Sequence, residues 1–454
     1  MRRSVRTACA VTALATLATG CTGQASAPQG SAAAPRFDKQ PTGALRISGF
    51  NPSDEVGKSR SDHAAAGLSG VQIEQDTTNF DTQKFAAQAA SGQVPDLIQV
   101  NRTEVATFAA RNLIMPMDEC FATWDVDPKD HYYEATVADV TYRDAVYGAP
   151  QFFQPNALLV NTRVTQAKGV TLDQLDTSKP DALVGLAGSL SEQSGGNPSV
   201  LGLDLDLPGS AGMWFTVLGG GVLGDDGRPT LDDAANVRVL EWMKQVMDAQ
   251  GGYAKVKSFK DSMDAFGDAN QYVTDQVAVQ TWAQWYPNVL ASNADKVELA
   301  AVPIRDAAGQ PVAMAGGTAF AIPAAAKNPS AACAWAVRAT SLEAWLAAGE
   351  ARAATVAEKN SIATGLFTAS PEADQQIREQ FVKPSGNAGF DQVIDTYYSV
   401  LENTRSLGAS PVGQQVTQEL NNAVVVTLAG EKNAQQALAD AQAAALRAWD
   451  QVDG

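Results

Sequence analysis

Residues 80–98 read FDTQKFAAQAASGQVPDLI, and they decide the fold more than any other stretch of the chain. A helical pattern ends in the small residues Ser91 and Gly92, Pro95-Asp96 follows, and an apolar run begins at Leu97. A helix that passes through a short turn into an apolar strand is the basic unit of α/β layers. This stretch therefore predicts an α/β protein.

The same alternation of apolar runs and helical patterns continues along the chain. Strands are predicted at the short apolar runs Leu45–Ile47, Val71–Ile73, Leu97–Val100, Ala157–Val160, Val277–Val279, Leu299–Val302 and Ala319–Ile322. Helices are predicted to begin at the capping pair Asn328-Pro329 and at about Asn433, and to end before Gly251-Gly252. A chain of 454 residues is too long for one hydrophobic core, which stops growing at roughly 250–300 residues, so we expect two α/β lobes.

The composition limits the classes of partner. Hydrophobic residues make up 45% of the chain and charged residues 18%, which is ordinary for a soluble globular protein. The formal net charge of -17 repels phosphate backbones and discourages self-association, so we expect a monomer with no nucleic-acid partner. Outside the first residues the cysteines are Cys120 and Cys333, and a disulfide or two buried free thiols are both open.

Residues 1–21 have the pattern of an export signal. A segment with three arginines precedes an apolar stretch, residues 8–18, that is too short to span a bilayer, and Thr19-Gly20-Cys21 follows. These small residues resemble the lipobox of bacterial lipoproteins, which implies that residues 1–20 are a signal peptide and that Cys21 carries lipid on the outer face of the cell membrane. Cleavage by an ordinary signal peptidase is the alternative. Residues 21–43 are small, polar and Pro-containing, which predicts a flexible tether after the lipidated cysteine.

No motif for catalysis or metal binding is complete. The chain lacks a Walker A sequence, H-E-x-x-H and G-x-S-x-G, and its 2 histidines, His63 and His131, lie in polar surroundings. Asp204 and Asp206 begin like a calcium loop, but Pro208-Gly209 interrupts the remaining ligand positions. We therefore expect no enzyme, no cofactor and no metal site, although 50 carboxylates leave room for a glycosidase-type acid pair.

Several segments carry, in order, a likeness to a known family. Besides residues 80–98 they are Tyr147–Pro150 with Ala157–Asn161, Trp214–Asp226 with Pro229-Thr230, Thr281–Trp285, and Val302-Pro303 with Gly316-Gly317 and Ala321–Pro323. Over residues 44–450 the chain resembles the sugar-type (family 1) extracellular solute-binding proteins of bacterial ABC importers. The resemblance implies an α/β, two-lobed periplasmic-binding-protein-like (type II) fold with a hinge between the lobes. It places lobe 1 at residues 44–150 plus 304–365 and lobe 2 at residues 151–303 plus 366–454.

The resemblance also implies a receptor that captures a mono- or oligosaccharide between its lobes, closes by a hinge motion and meets a membrane permease. Sugar C–H faces stack on flat aromatic rings, and sugar hydroxyls pair with amide, carboxylate or guanidinium groups. The aromatic candidates are Trp282 and Trp285 first, then Trp214, Phe152 and Phe153, for which a place in the core is the alternative. The candidates for polar contacts and close backbone approach are Asn51, Asn101, Arg102, Gln151, Gln154 and Gly317.

Two other functions compete with a sugar receptor. A receptor for glycerol phosphate needs converging Arg or Lys side chains, and a receptor for a polyamine needs carboxylates between aromatic rings. An exported enzyme that cleaves polysaccharides belongs to a different class, because it predicts turnover where a receptor predicts binding without a product.

Overall fold

The computed structural model describes residues 37–206, 210–314, 316–359 and 361–453. The strands are β1 (Gly43–Ser48), β2 (Val71–Asp76), β3 (Leu97–Asn101), β4 (Thr141–Tyr142), β5 (Ala145–Val146), β6 (Ala149–Pro150), β7 (Asn156–Asn161), β8 (Glu192–Ser194), β9 (Asn197–Asp204), β10 (Val277–Ala283), β11 (Leu299–Pro303), β12 (Ala313–Met314), β13 (Thr318–Ala321) and β14 (Thr404–Arg405). The first ten helices are α1 (Glu55–Ala66), α2 (Thr82–Ala90), α3 (Arg102–Ala110), α4 (Asp118–Thr123), α5 (Pro128–His131), α6 (Glu134–Asp139), α7 (Thr162–Ala167), α8 (Pro180–Leu190), α9 (Ala211–Val217) and α10 (Ala234–Ala249). The others are α11 (Tyr253–Lys260), α12 (Tyr286–Leu290), α13 (Pro329–Ala339), α14 (Leu342–Lys359), α15 (Pro371–Phe381), α16 (Ala388–Ser399), α17 (Gly413–Leu428) and α18 (Ala434–Asp453).

The first lobe is built on a sheet with strand order β2-β1-β3-β13-β6. Strand β1 runs parallel to β2 and β3, whereas β13 is antiparallel to β3 and β6. Residues 80–98 form α2, a turn and β3, as the sequence predicts. The buried Asp96 of the Pro-Asp pair accepts backbone N–H bonds from Arg46 (2.9 Å), Lys327 (2.8 Å) and Asn328 (3.0 Å). The pair is therefore a joint between β1, β3 and the start of α13.

The second lobe is built on a sheet with strand order β11-β7-β10-β9-β8. Strand β7 is antiparallel to both β10 and β11, and β10 runs parallel to β9. The apolar side chains of these strands lie in one large core with helices α8, α9, α10, α16, α17 and α18. All seven predicted strands lie in these two sheets, and the predicted helix ends at Asn328 and before Gly251-Gly252 are confirmed.

Three chain segments cross between the sheets and form the hinge. The first is residues 151–155, the second follows β11 and returns to β13, and the third precedes α15. They bond to one another through an antiparallel bridge between Phe152 and Thr368 and another between Gln154 and Gly316. The two-lobed α/β fold with a hinge is thus confirmed. The lobe boundaries remain a prediction. Helix α15 belongs to the predicted lobe 2 but packs against α14 of the predicted lobe 1, whereas α16 packs against β11 of lobe 2.

The body cysteines form a disulfide. Cys120 in α4 and Cys333 in α13 are bonded and fully buried in the core of the first lobe, so the alternative of two free thiols is wrong. The predicted signal peptide, Cys21 and most of the predicted tether lie outside the described residues. Within the part of the chain that the structure describes, no helix is both long enough and apolar enough to cross a membrane.

Candidate functional site

The candidate site lies where the carboxyl edges of the two sheets meet the crossing segments. In the first lobe, Asn101 at the end of β3 pairs with Thr318 at the start of β13. In the second lobe, Ala283 at the end of β10 pairs with Asn156 at the start of β7. Because residues 151–155 join β6 directly to β7, both edges face the hinge. Ligands of open α/β sheets bind outside the carboxyl ends of the strands, so this cleft is the candidate binding site.

Four aromatic side chains, here called the aromatic shelf, lie at the carboxyl edge of the second sheet. They are Phe266, Trp282, Trp285 and Tyr286. The rings of Trp282 and Tyr286 stack in parallel with centroids 3.7 Å apart, and Trp285 meets both edge-on. Phe266 is parallel to Trp285 at 6.3 Å and is 69% exposed. An exposed phenyl ring beside half-buried indoles is a flat apolar surface available to a ligand.

Hydrogen bonds to buried groups hold two residues of the shelf, Trp282 and Tyr286. The hydroxyl of the buried Tyr286 donates to the Ala265 carbonyl and accepts from the amides of Asn270 and Gln271, each at 2.8 Å. The hydroxyl of Tyr397 donates to the Trp282 carbonyl at 2.8 Å. Burial raises the pKa of Tyr286 to about 12, so its hydroxyl stays neutral and keeps donating at physiological pH. Trp282 and Tyr286 are therefore held in place before any ligand arrives.

A polar relay leads from the shelf to charged groups on the same edge. The Trp282 indole N–H donates to Gln280 Oε1 (2.6 Å), and Gln280 Nε2 donates to the buried carboxylate of Asp204 (2.7 Å). The Lys260 ammonium lies 3.0 Å from Asp204 and 2.8 Å from Asp206. Burial lowers the pKa of Lys260, but the two carboxylates more than offset this and hold it above its ordinary value. These three charged groups are called the Asp-Lys-Asp cluster below.

One buried amide at this edge has an unused acceptor. Gln284 lies between the two tryptophans in sequence, and its backbone N–H donates to the Pro155 carbonyl at 3.1 Å. Its side-chain Oε1 is buried and has no partner among the described residues. An unpaired buried acceptor is costly, so this atom has hydrogen-bonding capacity that the described residues do not use.

At least two cavities of the described chain are lined by residues of both lobes. One of about 390 Å³ is lined by Asn101 and Glu104 of the first lobe and by Gln414 and Thr417 of α17. The other, of about 590 Å³, lies between Glu55 and Arg352 on one side and Asn288 and Ser292 on the other. Space for a small ligand therefore exists between the lobes. A larger cavity lies elsewhere, between α15 and α16.

Comparison with known proteins identifies the family. A model of bacterial extracellular solute-binding proteins matches residues 63–376. The chain belongs to this family. Extracellular solute-binding proteins act outside the cytoplasm, and the family is one of binding proteins rather than enzymes. No curated protein sequence matches the chain.

Solved structures with the same fold are distant in sequence. CpMnBP1 with mannobiose bound has a TM-score of 0.69 and 19% identity over 89% of this chain and 100% of that chain. An ABC substrate-binding protein of Listeria monocytogenes in complex with cycloalternan has a TM-score of 0.69 and 14% identity over 90% and 99%. The GacH receptor of Streptomyces glaucescens, solved unliganded and with acarbose, has a TM-score of 0.66 and 19% identity over 90% and 98%. At these identities the likeness shows the two-lobed fold.

In this solute-binding protein, two of the aromatic candidates lie in the core rather than in the cleft. Trp214 is fully buried in α9, its indole N–H donates to the Leu205 carbonyl at 3.2 Å, and its ring packs on Trp242. Phe153 is also fully buried and packs on Tyr133. The expectation that these rings form ligand walls is corrected, because neither has a surface that a ligand could contact in this structure.

Three polar or glycine candidates belong to the hinge. Arg102 is 1% exposed, pairs with Asp139 at 3.0 Å and donates to the carbonyls of Phe152 and Gly316, so it ties two crossing segments together. Gln151 is fully buried and donates to Thr318. Gly317 has a φ of +140°, and a Cβ there would lie 2.2 Å from the Phe152 carbonyl oxygen. Close packing of the crossing segments accounts for all three. Arg102 and Gln151 have no exposed surface for a ligand in this structure, whereas Gly317 is part-exposed and its contact with a ligand stays a prediction.

The remaining candidates differ in exposure. Asn51 is exposed after β1 and accepts from the Ser53 backbone N–H at 3.0 Å, and Asn101 is exposed in the smaller inter-lobe cavity. Phe152 is half-buried against Trp345, and Gln154 is half-buried at its bridge to Gly316. Asn51 and Asn101 are thus the first-lobe candidates that keep a free surface at the cleft.

Sequence reasoning missed several residues of the site. Phe266 is a single aromatic residue in a polar loop, and nothing in its neighbourhood predicts that it lies beside Trp285. Lys260 is the last residue of α11, and a lysine is common in the last turn of a helix, so its sequence position does not indicate a role in the site. Gln284 could have been predicted from the sequence, because it lies inside the Thr281–Trp285 segment that carries the family likeness.

Proposed function

We propose that this protein is the carbohydrate-binding receptor of an ABC importer and captures a mono- or oligosaccharide between its lobes. The observation that carries the proposal is the aromatic shelf at the carboxyl edge of the second sheet. A rigid aromatic surface suits the C–H face of a sugar ring, and the neighbouring amides and carboxylates suit its hydroxyls. The mannobiose, cycloalternan and acarbose named for the structural neighbours are consistent with this ligand class.

The charges around the shelf favour an uncharged ligand over an anion. The Asp-Lys-Asp cluster has two carboxylates and one ammonium, and the buried Arg102 is already paired with Asp139. Among the residues that the structure describes, the edge of the second sheet where the shelf lies has no free cluster of Arg or Lys side chains for a glycerol phosphate. An uncharged sugar meets both donors and acceptors there.

Ligand capture is coupled to closure of the lobes. A ligand that contacts the shelf and also Asn51 or Asn101 binds the closed form more tightly, and only such differential affinity shifts the equilibrium. The closed form then presents a surface to the membrane permease. A diacylglyceryl group on Cys21 and the tether of residues 21–43 would hold this monomeric receptor on the outer face of the membrane, near that permease.

A ligand panel tests the proposal. The purified protein is screened by thermal shift against mannobiose, maltotriose, tagatose, glycerol 3-phosphate, spermidine and amino acids. A ligand present at 100 times its Kd stabilises the folded state by about 2.7 kcal/mol, which is a readily measured shift. We expect stabilisation by an uncharged sugar that is recovered unchanged. Stabilisation by glycerol 3-phosphate or spermidine alone, or cleavage of the sugar, would contradict the proposal.

The anchor needs a separate test. Cells that express the protein are labelled with radioactive palmitate, and a Cys21→Ala variant serves as the control. We expect label on the wild-type protein and none on the variant. An unlabelled wild-type protein released into the medium would show that an ordinary signal peptidase processes it.

A further inference from the structure

The carboxylate of Asp206 is linked to Trp282 by a chain of contacts through Lys260, Asp204 and Gln280. Asp204, the last residue of β9, pairs in register with Gln280, whose side chain donates to the Asp204 carboxylate (2.7 Å) and accepts from the Trp282 indole N–H (2.6 Å). Lys260 contacts both Asp204 and Asp206. The backbone at Asp206 is left-handed, with φ of 52°, and its N–H donates to Asp204 Oδ1 at 2.9 Å. Aspartate tolerates this conformation better than most residues do. The turn after β9 therefore adds a second carboxylate to the polar groups that lead to the aromatic shelf.

Lys260 contacts the two carboxylates for different reasons. Asp204 is 2% exposed, and Lys260 and Gln280 compensate its buried charge. The side chain of Asp206 is 43% exposed, so water alone could solvate its charge. The contact of 2.8 Å between Lys260 and Asp206 Oδ1 therefore fixes the orientation of this carboxylate more than it neutralises it. Lys260 is a positioning residue.

One oxygen of the oriented carboxylate is left for a ligand. Among the described residues, hydrogen bonds reach Oδ1 of Asp206 but not Oδ2. A carboxylate oxygen accepts hydroxyl donors strongly and donates nothing. The unpaired Oε1 of the buried Gln284 lies at the carboxyl end of the adjacent strand, on the same edge. Asp206 Oδ2 is therefore an acceptor without a partner among the described residues at this edge, and a hydroxyl group is a donor that suits it.

We propose that Asp206, oriented by Lys260, accepts hydrogen bonds from hydroxyls of the bound sugar and makes the site select uncharged sugars over sugar acids. This inference rests on the proposed function and adds a specificity to it. The net charge of the Asp-Lys-Asp cluster is negative, so a ligand carboxylate near Trp282 is repelled. An uncharged hydroxyl at the same place is bound.

Two substitutions shift this selectivity in opposite directions. Asp206→Asn keeps the shape but removes the strong acceptor and the negative charge, so affinity for the uncharged sugar falls about 10-fold and discrimination against the acid weakens. Lys260→Met leaves two carboxylates without their cation, so affinity for the uncharged sugar falls while discrimination against the acid increases. A merely structural role would lower both affinities together and leave their ratio unchanged.

The experiment measures Kd by titration calorimetry for mannobiose, maltotriose and tagatose, and for digalacturonate and glucuronate as acids. Lys257→Met is the matched control, because Lys257 lies on the same helix and pairs with the exposed Asp261. Lys260→Arg keeps the positive charge and should restore near wild-type selectivity. If Lys260→Met fails to fold, the selectivity ratio of Asp206→Asn is compared with that of Lys260→Arg instead.

The outcomes separate this inference from the proposed function. Binding of an uncharged probe to the wild type, with opposite shifts of the selectivity ratio in the two variants, supports both. Wild-type binding with an unchanged ratio in Asp206→Asn overturns this inference alone. A wild-type protein that binds none of the uncharged probes overturns the proposed function and this inference with it.

Discussion

Phe266 offers a sharp test of the aromatic shelf, because its ring is mostly exposed and its removal should affect binding without affecting folding. The ring is 69% exposed and lies parallel to Trp285 at 6.3 Å. A ligand that covers about 70 Å² of it gains about 1.7 kcal/mol at about 25 cal/mol per Å². Phe266→Ala should therefore raise the Kd for the bound sugar about 15- to 20-fold.

The assay is calorimetric titration of wild type and variant with the sugar that stabilises the wild type most in the panel. The matched control is Leu172→Ala, because Leu172 is the other exposed large hydrophobic residue of the described chain, at 37% exposure. Both substitutions should leave the free energy of unfolding within about 0.5 kcal/mol, as is usual at exposed sites. Equal Kd values for Phe266→Ala and wild type would refute the assignment of Phe266 to the ligand surface.

Three further predictions concern stability, measured by urea unfolding. Replacing Cys120 and Cys333 by alanine opens a loop with a sequence separation of 213 and should cost about 2–5 kcal/mol. Burial raises the pKa of Asp374 to about 8. The free energy of unfolding should therefore fall as pH rises from about 4 to 8, by up to about 1.4 kcal/mol per pH unit. Asp374→Asn should remove this pH dependence. Gly317→Ala should cost about 2 kcal/mol or more, because the added Cβ meets the Phe152 carbonyl oxygen.

Each of these has a control. Wild type under reducing conditions should match the double cysteine variant, and equal stability of the oxidised wild type and that variant would contradict the first prediction. For Asp374 the sign follows from a folded-state pKa above the unfolded one: the protonated form is favoured on folding, so stability that rises with pH in the wild type relative to Asp374→Asn would contradict it. For Gly317 the control is Gly185→Ala, since Gly185 lies in α8 with open space around it.

The sequence predicted the architecture well, because periodic patterns report local structure directly. The apolar runs lie in the strands, and Asn328 caps α13 by accepting from the Ala331 backbone N–H. The Pro-Asp pair at residues 95–96 is part of the family likeness in the sequence. Its physical role is visible only in the structure, where the Asp96 carboxylate accepts bonds from three backbone N–H groups.

The site was predicted only in part, because side-chain exposure depends on tertiary packing. Trp282 and Trp285 do lie at the carboxyl edge of the second sheet, but whether they bind the ligand stays a prediction. Trp214 is also a tryptophan in a segment that carries the family likeness, but its ring lies in the core, where it packs on Trp242. Arg102 was predicted to meet hydroxyls, yet its donors are used by Asp139 and two carbonyls at the hinge. No local pattern separates these cases.

The most direct test of the receptor hypothesis is a calorimetric titration of the wild-type protein and of a Trp282→Ala, Trp285→Ala double variant with the best sugar of the panel, followed by chromatography of the sugar. We expect the wild type to bind one sugar per chain and release it unchanged, and we expect the folded double variant to lose this binding. Unchanged binding by the double variant, or a cleaved sugar, would contradict the account.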